Sequence, residues 1–149
     1  MNPQHDMIDQ MVVLIANLVN LLLVAVFICR KLVFQRLEYF LGIGLILLIF
    51  PIAFAVYLNV KEKRNRFLIL FPVPLILFLL VELFFDYIFH LPFRETNLLW
   101  PYLGVYYLGL LGMIGYAFVV RKMYGYMTLV TYFLNLLATW YAHSSYFSP

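Results

Sequence analysis

The sequence predicts an all-α integral membrane protein, a compact bundle of five transmembrane helices, on three observations. Hydrophobic residues make up 66% of the chain and charged residues only 11%, whereas soluble domains average about 45–50% and about 25%. Nearly uncharged runs of roughly 20 residues recur along its whole length, as spans of a hydrocarbon layer require. A mean hydropathy of +0.96 leaves too little polar chain to coat a soluble core.

The first span is expected at about 8–29. The preceding stretch MNPQHDMIDQ carries Asp6 and Asp9 instead of a basic segment, and no small-residue cleavage site follows the apolar run. It therefore reads as a retained span and not a secretory leader. Arg30 and Lys31 close it. A second span, about 39–60, ends in KEKRNR at 61–66. Gly42, Gly44 and Pro51 lie inside it, so a re-entrant segment at 39–60 with four full spans is the alternative architecture. A run of this length and apolarity normally crosses, and re-entrant backbone must be shielded from lipid, which favours five spans.

A third span is placed at about 67–91, ending at Pro92 because proline disfavours helix at the residue before it. The fourth, about 97–120, is entered through Trp100 and Pro101 and closed by Arg121 and Lys122. The fifth covers about 124–142 and is followed by a polar end. Short connections imply one transmembrane helical domain over 1–149 with no soluble domain. Of the ten Lys and Arg residues, six fall in the second and fourth loops and four in the first and third, so positive charge barely selects an orientation. Which membrane holds the chain is not encoded. Tyr and Trp near the span ends, among them Trp100, Tyr102, Tyr124, Tyr126, Trp140 and Tyr141, suit headgroup level.

Composition excludes several functions. No basic patch with interleaved aromatics is present, which argues against nucleic-acid binding. With Cys29 alone, no intrachain disulfide forms. GxSxG, Walker-type and GxGxxG motifs are missing. Neither an HExxH or ExxH pair nor a cysteine cluster occurs, so no metal and no cofactor are expected.

The polar residues inside the spans carry what functional signal there is. In VELFFDYIFH, Glu82, Asp86 and His90 stand four apart, which on a helix aligns them along one face. Acids in hydrocarbon are costly and face a bundle interior or a water-filled cavity. Arg94 continues the spacing beyond Pro92, where it can fold back to neutralise Asp86, pair with Glu95 in the loop, or hold the phosphate of a ligand. Asn17 and Asn20 lie one turn apart in the first span, and Thr128, Thr131, Asn135, Thr139 and His143 form a stripe in the fifth. Such side chains seek interhelical hydrogen bonds, so Asn17, Asn20, Glu82, Asp86, Thr131 and Asn135 are expected to face a shared interior. Two carboxylates there suit a proton relay, a cation site or acid/base chemistry.

The leading expectation is a small polytopic protein that binds or conducts a proton, cation or lipophilic molecule through this carboxylate site. Two alternatives stand beside it: a lipid-modifying enzyme using Glu82, Asp86 and His90, and a non-catalytic membrane subunit or anchor. An enzyme is the less favoured reading, since nucleophile and metal signatures are both missing. The expected partner is the lipid bilayer. Gly104, Gly112 and Gly115, which share a helix face, offer a surface for homo-oligomer contact.

Overall fold

The computed structural model describes residues 3–93 and 96–144, which contain helices and no strand. Four helical segments are long and apolar enough to cross a membrane: Gln4–Lys31, Gln35–Lys61, Arg66–Ile88 and Leu99–Val120. A further helix, Lys122–His143, has 22 residues, but its Tyr, Thr and Asn content lowers its hydropathy below that of the other four.

Helix α1, Pro3–Lys31, starts five residues before the expected first span. Asp6 in its first turn favours this early start, because a carboxylate there meets the positive end of the helix dipole. The helix is closed by a Schellman turn. The Val33 N–H donates to the Arg30 carbonyl at 3.2 Å and the Phe34 N–H to the Cys29 carbonyl at 2.9 Å, with Val33 left-handed at φ 61°.

Helices α2 (Gln35–Leu47) and α3 (Ile49–Lys61) meet at Leu48, whose φ of −67° and ψ of −11° remain right-handed. The interruption falls one turn before Pro51, which has no N–H for the Leu47 carbonyl. The segment therefore runs on in one direction as a 27-residue helix. It does not double back as the re-entrant alternative requires.

A second Schellman turn ends α3. The Lys63 N–H donates to Val60 and the Arg64 N–H to Asn59, both at 3.0 Å, and Lys63 is left-handed at φ 50°. Helix α4, Arg66–Leu70, is capped by Asn65, whose side chain accepts from the Phe67 N–H at 3.1 Å. Pro72, at the N-cap of α5 (Val73–Glu82), and Pro74, in its first turn, interrupt the ladder. Pro72 cannot donate to the Leu68 carbonyl, and the Asn59 amide does so instead at 3.2 Å.

Residues Leu83–Ile88 continue α5 as a π-helical turn. The Phe89 N–H reaches back to Phe84 and the Leu91 N–H to Phe85, each at 2.8 Å, while His90 turns left-handed at φ 50°. This segment thus ends before His90, earlier than the expected boundary at Pro92. Helix α6, Leu99–Val120, follows and is joined to α7, Lys122–His143, at the extended residue Arg121.

The long segments form a closed ring in which α1 packs on α7 and α2, α7 on α6, and α6 on α5, with α2 and α3 against α5. Helices α1 and α6 also touch across the centre. Val12, Val19, Ile52, Ala55, Leu75 and Phe78 are fully enclosed between them. Outward surfaces are apolar, including Leu14 and Leu21 on α1 and Phe50 and Phe54 on α3.

Candidate functional site

The polar residues do not converge on one interior. They divide among three places, and the helix on which each sits explains the division.

The first place is the seam between α1 and α7. The Asn17 amide donates to Thr128 Oγ1 at 3.2 Å and to the Val13 carbonyl at 2.8 Å. Thr131 donates to Asn17 Oδ1 at 2.9 Å, and Asn20 donates to Thr131 Oγ1 at 3.0 Å. Asn135 is fully buried and donates to the Tyr106 hydroxyl of α6 at 2.9 Å. These amides and hydroxyls pin α7 to its neighbours, as polar groups between apolar helices are expected to. The expectation that Asn17, Asn20, Thr131 and Asn135 share an interior with Glu82 and Asp86 is thereby corrected. Val26, which faces the acids, lies nine residues after Asn17, roughly 900° or half a turn round α1.

The second place was not anticipated from the sequence. Arg64 makes a two-pronged contact with Asp9, Nη1 to Oδ1 at 2.9 Å and Nη2 to Oδ2 at 2.8 Å. Its Nη1 also donates to Asn59 Oδ1 at 2.9 Å. Tyr116 of α6 donates to Asp9 Oδ1 at 2.8 Å. The Asp9 and Arg64 side chains are only 9% and 11% exposed. The hydrogen bond to Asp9 raises the Arg64 pKa further above its already high value, outweighing the opposing effect of burial. The Schellman turn makes this possible, because it folds Arg64 back beside Asn59. His5 pairs with Glu62 close by. Legible signals were present: Asp9 near the start of an apolar helix, and a non-glycine loop whose fourth residue is arginine.

The third place is a half-open cavity of about 270 Å³ at the opposite end of α1. Its walls come from three elements: Leu23, Val26 and Arg30 of α1; Gln35, Glu38, Tyr39, Gly42 and Leu45 of α2; and Glu82, Asp86 and Tyr87. Arg30 is oriented by Glu38, with Nε and Nη2 at 2.8 and 2.7 Å from Oε1, and it also lies 5.7 Å from the centre of the Phe27 ring. Tyr87 donates to the Tyr39 carbonyl at 3.2 Å, and the two rings are 5.3 Å apart. Gly42 makes room here. A Cβ at that position would collide with the Tyr87 hydroxyl, so the phenol would have to shift from its place across α2.

Comparison with family models, curated proteins and solved structures gave no match. The chemistry must be read from the chain itself.

Of the predicted acidic stripe, Glu82 and Asp86 line the same cavity, and His90 does not. It is exposed beyond the π-helical turn, so the three-residue acid/base set is not assembled. Because the helix ends at Ile88, Glu82 sits six residues from that end, shallower than a boundary at 91 implies. Arg94 lies outside the described residues. The glycine face is also corrected. Gly112 and Gly115 pack against Phe71 of the same chain, and a Cβ on Gly112 would strike the Phe71 carbonyl. Only Gly104 opens onto unoccupied space, so the surface proposed for homo-oligomer contact is largely used internally. Among the described residues no group of three His, Cys, Asp or Glu side chains is arranged to hold a metal ion.

Proposed function

We propose that this chain is a multi-pass membrane protein that binds a small cationic or amphiphilic molecule in the cavity between α1, α2 and the π-helical end of α5. The observation that carries the reading is the lining of that cavity. Among the described residues that line it are three carboxylates, Glu38, Glu82 and Asp86, and one cation, Arg30, which Glu38 engages, with two tyrosine rings beside them and Leu23, Val26 and Leu45 forming an apolar side. Ligand sites are concave and largely apolar with a few convergent polar groups, and charge within them sets the preferred ligand. The π-helical turn adds support, since such turns recur at functional positions.

Binding is favoured over conduction. One turn further in, Val19, Leu75, Phe78 and Leu79 fill the core with apolar side chains. Catalysis is less supported because His90 does not line the cavity with the acids. Helix α7 is the fifth span in this reading. Its 22 residues extend about 33 Å, Thr128 and Asn135 are buried, and Met127, Val130, Phe133, Leu137 and Trp140 face outward.

Calorimetric titration of the detergent-solubilised protein with tetraethylammonium tests the proposal. Saturable binding that weakens at least tenfold in the Glu82→Gln, Asp86→Asn double variant is expected. No binding by the native chain, or equal binding by the variant with its fold intact, overturns it.

A further inference from the structure

We infer that one end of the bundle, formed by the start of α1, the α3–α4 loop and the α6–α7 connection, docks on the anionic headgroups of one membrane leaflet; this rests on the multi-pass reading above and not on the cavity. Buried contacts gather these segments, since Asp9 of α1 meets Arg64 of the loop and Tyr116 near the close of α6. Six cations belong to that end, Lys61, Lys63, Arg64, Arg66, Arg121 and Lys122, against three acids, Asp6, Asp9 and Glu62. At the other end Arg30, Lys31, Arg36 and Arg94 are matched in number by Glu38, Glu82, Asp86 and Glu95. Arg94 and Glu95 enter by sequence alone, as neighbours whose charges cancel. The chain's formal charge of +3 therefore resides at one end.

Contacts at that end sharpen the asymmetry. Two of its three acids are engaged by the protein itself, Asp9 by Arg64 and Glu62 by His5. The Schellman turn that folds Arg64 inward leaves its neighbours Lys61 and Lys63 exposed. Arg66, Arg121 and Lys122 are exposed as well, and none of the five is in an ion pair among the described residues. A headgroup at this surface thus meets five cations and one half-buried carboxylate, Asp6.

The level of these cations suits lipid headgroups. Exposed apolar side chains follow them directly, Phe67 and Leu70 after Arg66, and Met123 and Tyr126 after Lys122. Arg66 lies 6.0 Å from the centre of the Phe67 ring, and Arg121 lies 5.6 Å from that of Tyr124. Charge and ring standing together mark the boundary between hydrocarbon and headgroups. Cations there attract acidic lipids within about one Debye length, ~8 Å at physiological salt. Membrane insertion weighs Lys and Arg alone, six against four here. A headgroup responds instead to the net charge, which differs between the two ends by the whole +3.

The full-length protein is exchanged into mixed micelles with equal phosphatidylglycerol and phosphatidylcholine of matched acyl chains, and retained lipid is measured by native mass spectrometry. Phosphatidylglycerol is expected to be retained at least fivefold over phosphatidylcholine. That preference should fall below twofold when exchange is done in about 1 M salt, where the screening length is about 3 Å. The quadruple variant Lys61→Gln, Lys63→Gln, Arg66→Gln, Lys122→Gln is expected to lose it. The charge-conserving Lys61→Arg, Lys63→Arg, Arg66→Lys, Lys122→Arg and the opposite-end Arg36→Gln should keep it within twofold. Equal retention of both lipids by the native chain overturns the inference, and heparin binding in that case assigns the surface to a soluble polyanion. An undiminished preference in the glutamine variant with its circular dichroism intact overturns it too, as does a loss on Arg36→Gln as large as that of the quadruple variant. Should the glutamine variant fail to fold, a native preference that survives about 1 M salt is the overturning result. Alkaline carbonate extraction from vesicles of the same lipids separates the two readings. A chain that stays in the membrane without lipid preference leaves the multi-pass reading standing, and a chain released by carbonate overturns both.

Discussion

Replacing Asp9 by asparagine removes one charge from the Asp9–Arg64 pair while keeping the side chain's shape. Two Arg64 nitrogens stand 2.8–2.9 Å from the Asp9 oxygens, and neither side chain is more than 11% exposed. With charge centres near 4 Å and an effective dielectric of about 20, the lost attraction is about 4 kcal/mol. Removing one partner of a buried pair costs about 3–5 kcal/mol, because the remaining charge stays without compensation. Asparagine retains an acceptor for Tyr116, so the loss of that hydrogen bond adds little, and the expected destabilisation is about 3–4 kcal/mol. Equilibrium unfolding by sodium dodecyl sulfate in mixed micelles, followed by circular dichroism, measures it. The Asp9→Leu, Arg64→Leu double variant removes both charges together and is expected to be less destabilised than Asp9→Asn. A cost below about 1 kcal/mol for Asp9→Asn, or a double variant equal to the sum of its single changes, refutes the reasoning.

Three further outcomes are expected. Val33 is β-branched and left-handed at φ 61°, so Val33→Asn relieves strain and stabilises by about 1 kcal/mol in the same unfolding assay. Gly112→Ala forces α6 away from the Phe71 carbonyl and lowers stability by about 1–3 kcal/mol, whereas Gly104→Ala, which meets nothing within 4 Å, is neutral or slightly stabilising. If α7 crosses the bilayer as the fifth span, tags at the two chain ends become accessible to a membrane-impermeant label from opposite sides; labelling from one side alone refutes five crossings.

The helices were legible because their signal is summed over many residues. Expected spans at 8–29 and 97–120 lie within Pro3–Lys31 and close to Leu99–Val120, since apolar runs bounded by basic pairs admit few other readings. The end of α5 was not legible. Pro92 supplies a reason to stop, but the earlier π-helical turn and the left-handed His90 follow from backbone hydrogen bonds that skip a residue, which no side-chain period announces. The sequence placed polar residues on helix faces correctly enough to pair Glu82 with Asp86, but not to choose neighbours. Asn17 and Glu82 each look inward, yet toward different seams, because neighbour order is set by packing and not by local periodicity. Asp9 enters the sequence reading only as an acid standing where a secretory leader would be basic. Its buried role depends on a loop that brings Arg64 back from 55 residues away.

Helix α1 organises this division. Asp9 ties its first third to the α3–α4 connection and to α6, Asn17 and Asn20 hold its middle to α7, and Arg30 at its end borders the cavity. The first two contact sets pair donors with acceptors on several helices at once, so they oppose movement of α1 relative to α3, α6 and α7. The cavity instead lies where α1 packs on α2, and the polar contact between these two helices is the surface ion pair Arg30–Glu38, whose side chains are 34% and 27% exposed. Pairs of that exposure contribute only about 0–1 kcal/mol. The rigid contacts thus hold one side of the cavity, while Tyr87 lies in the Gly42 notch under a single 3.2 Å hydrogen bond. Polar contacts therefore restrain the α2 wall less than they restrain the seam between α1 and α7. Hydrogen exchange should find the backbone near Tyr39 and Gly42 less protected than that near Asn17 and Tyr116. Equal protection of the two regions would mean that α2 is held by contacts other than the ion pair and the Tyr87 bond.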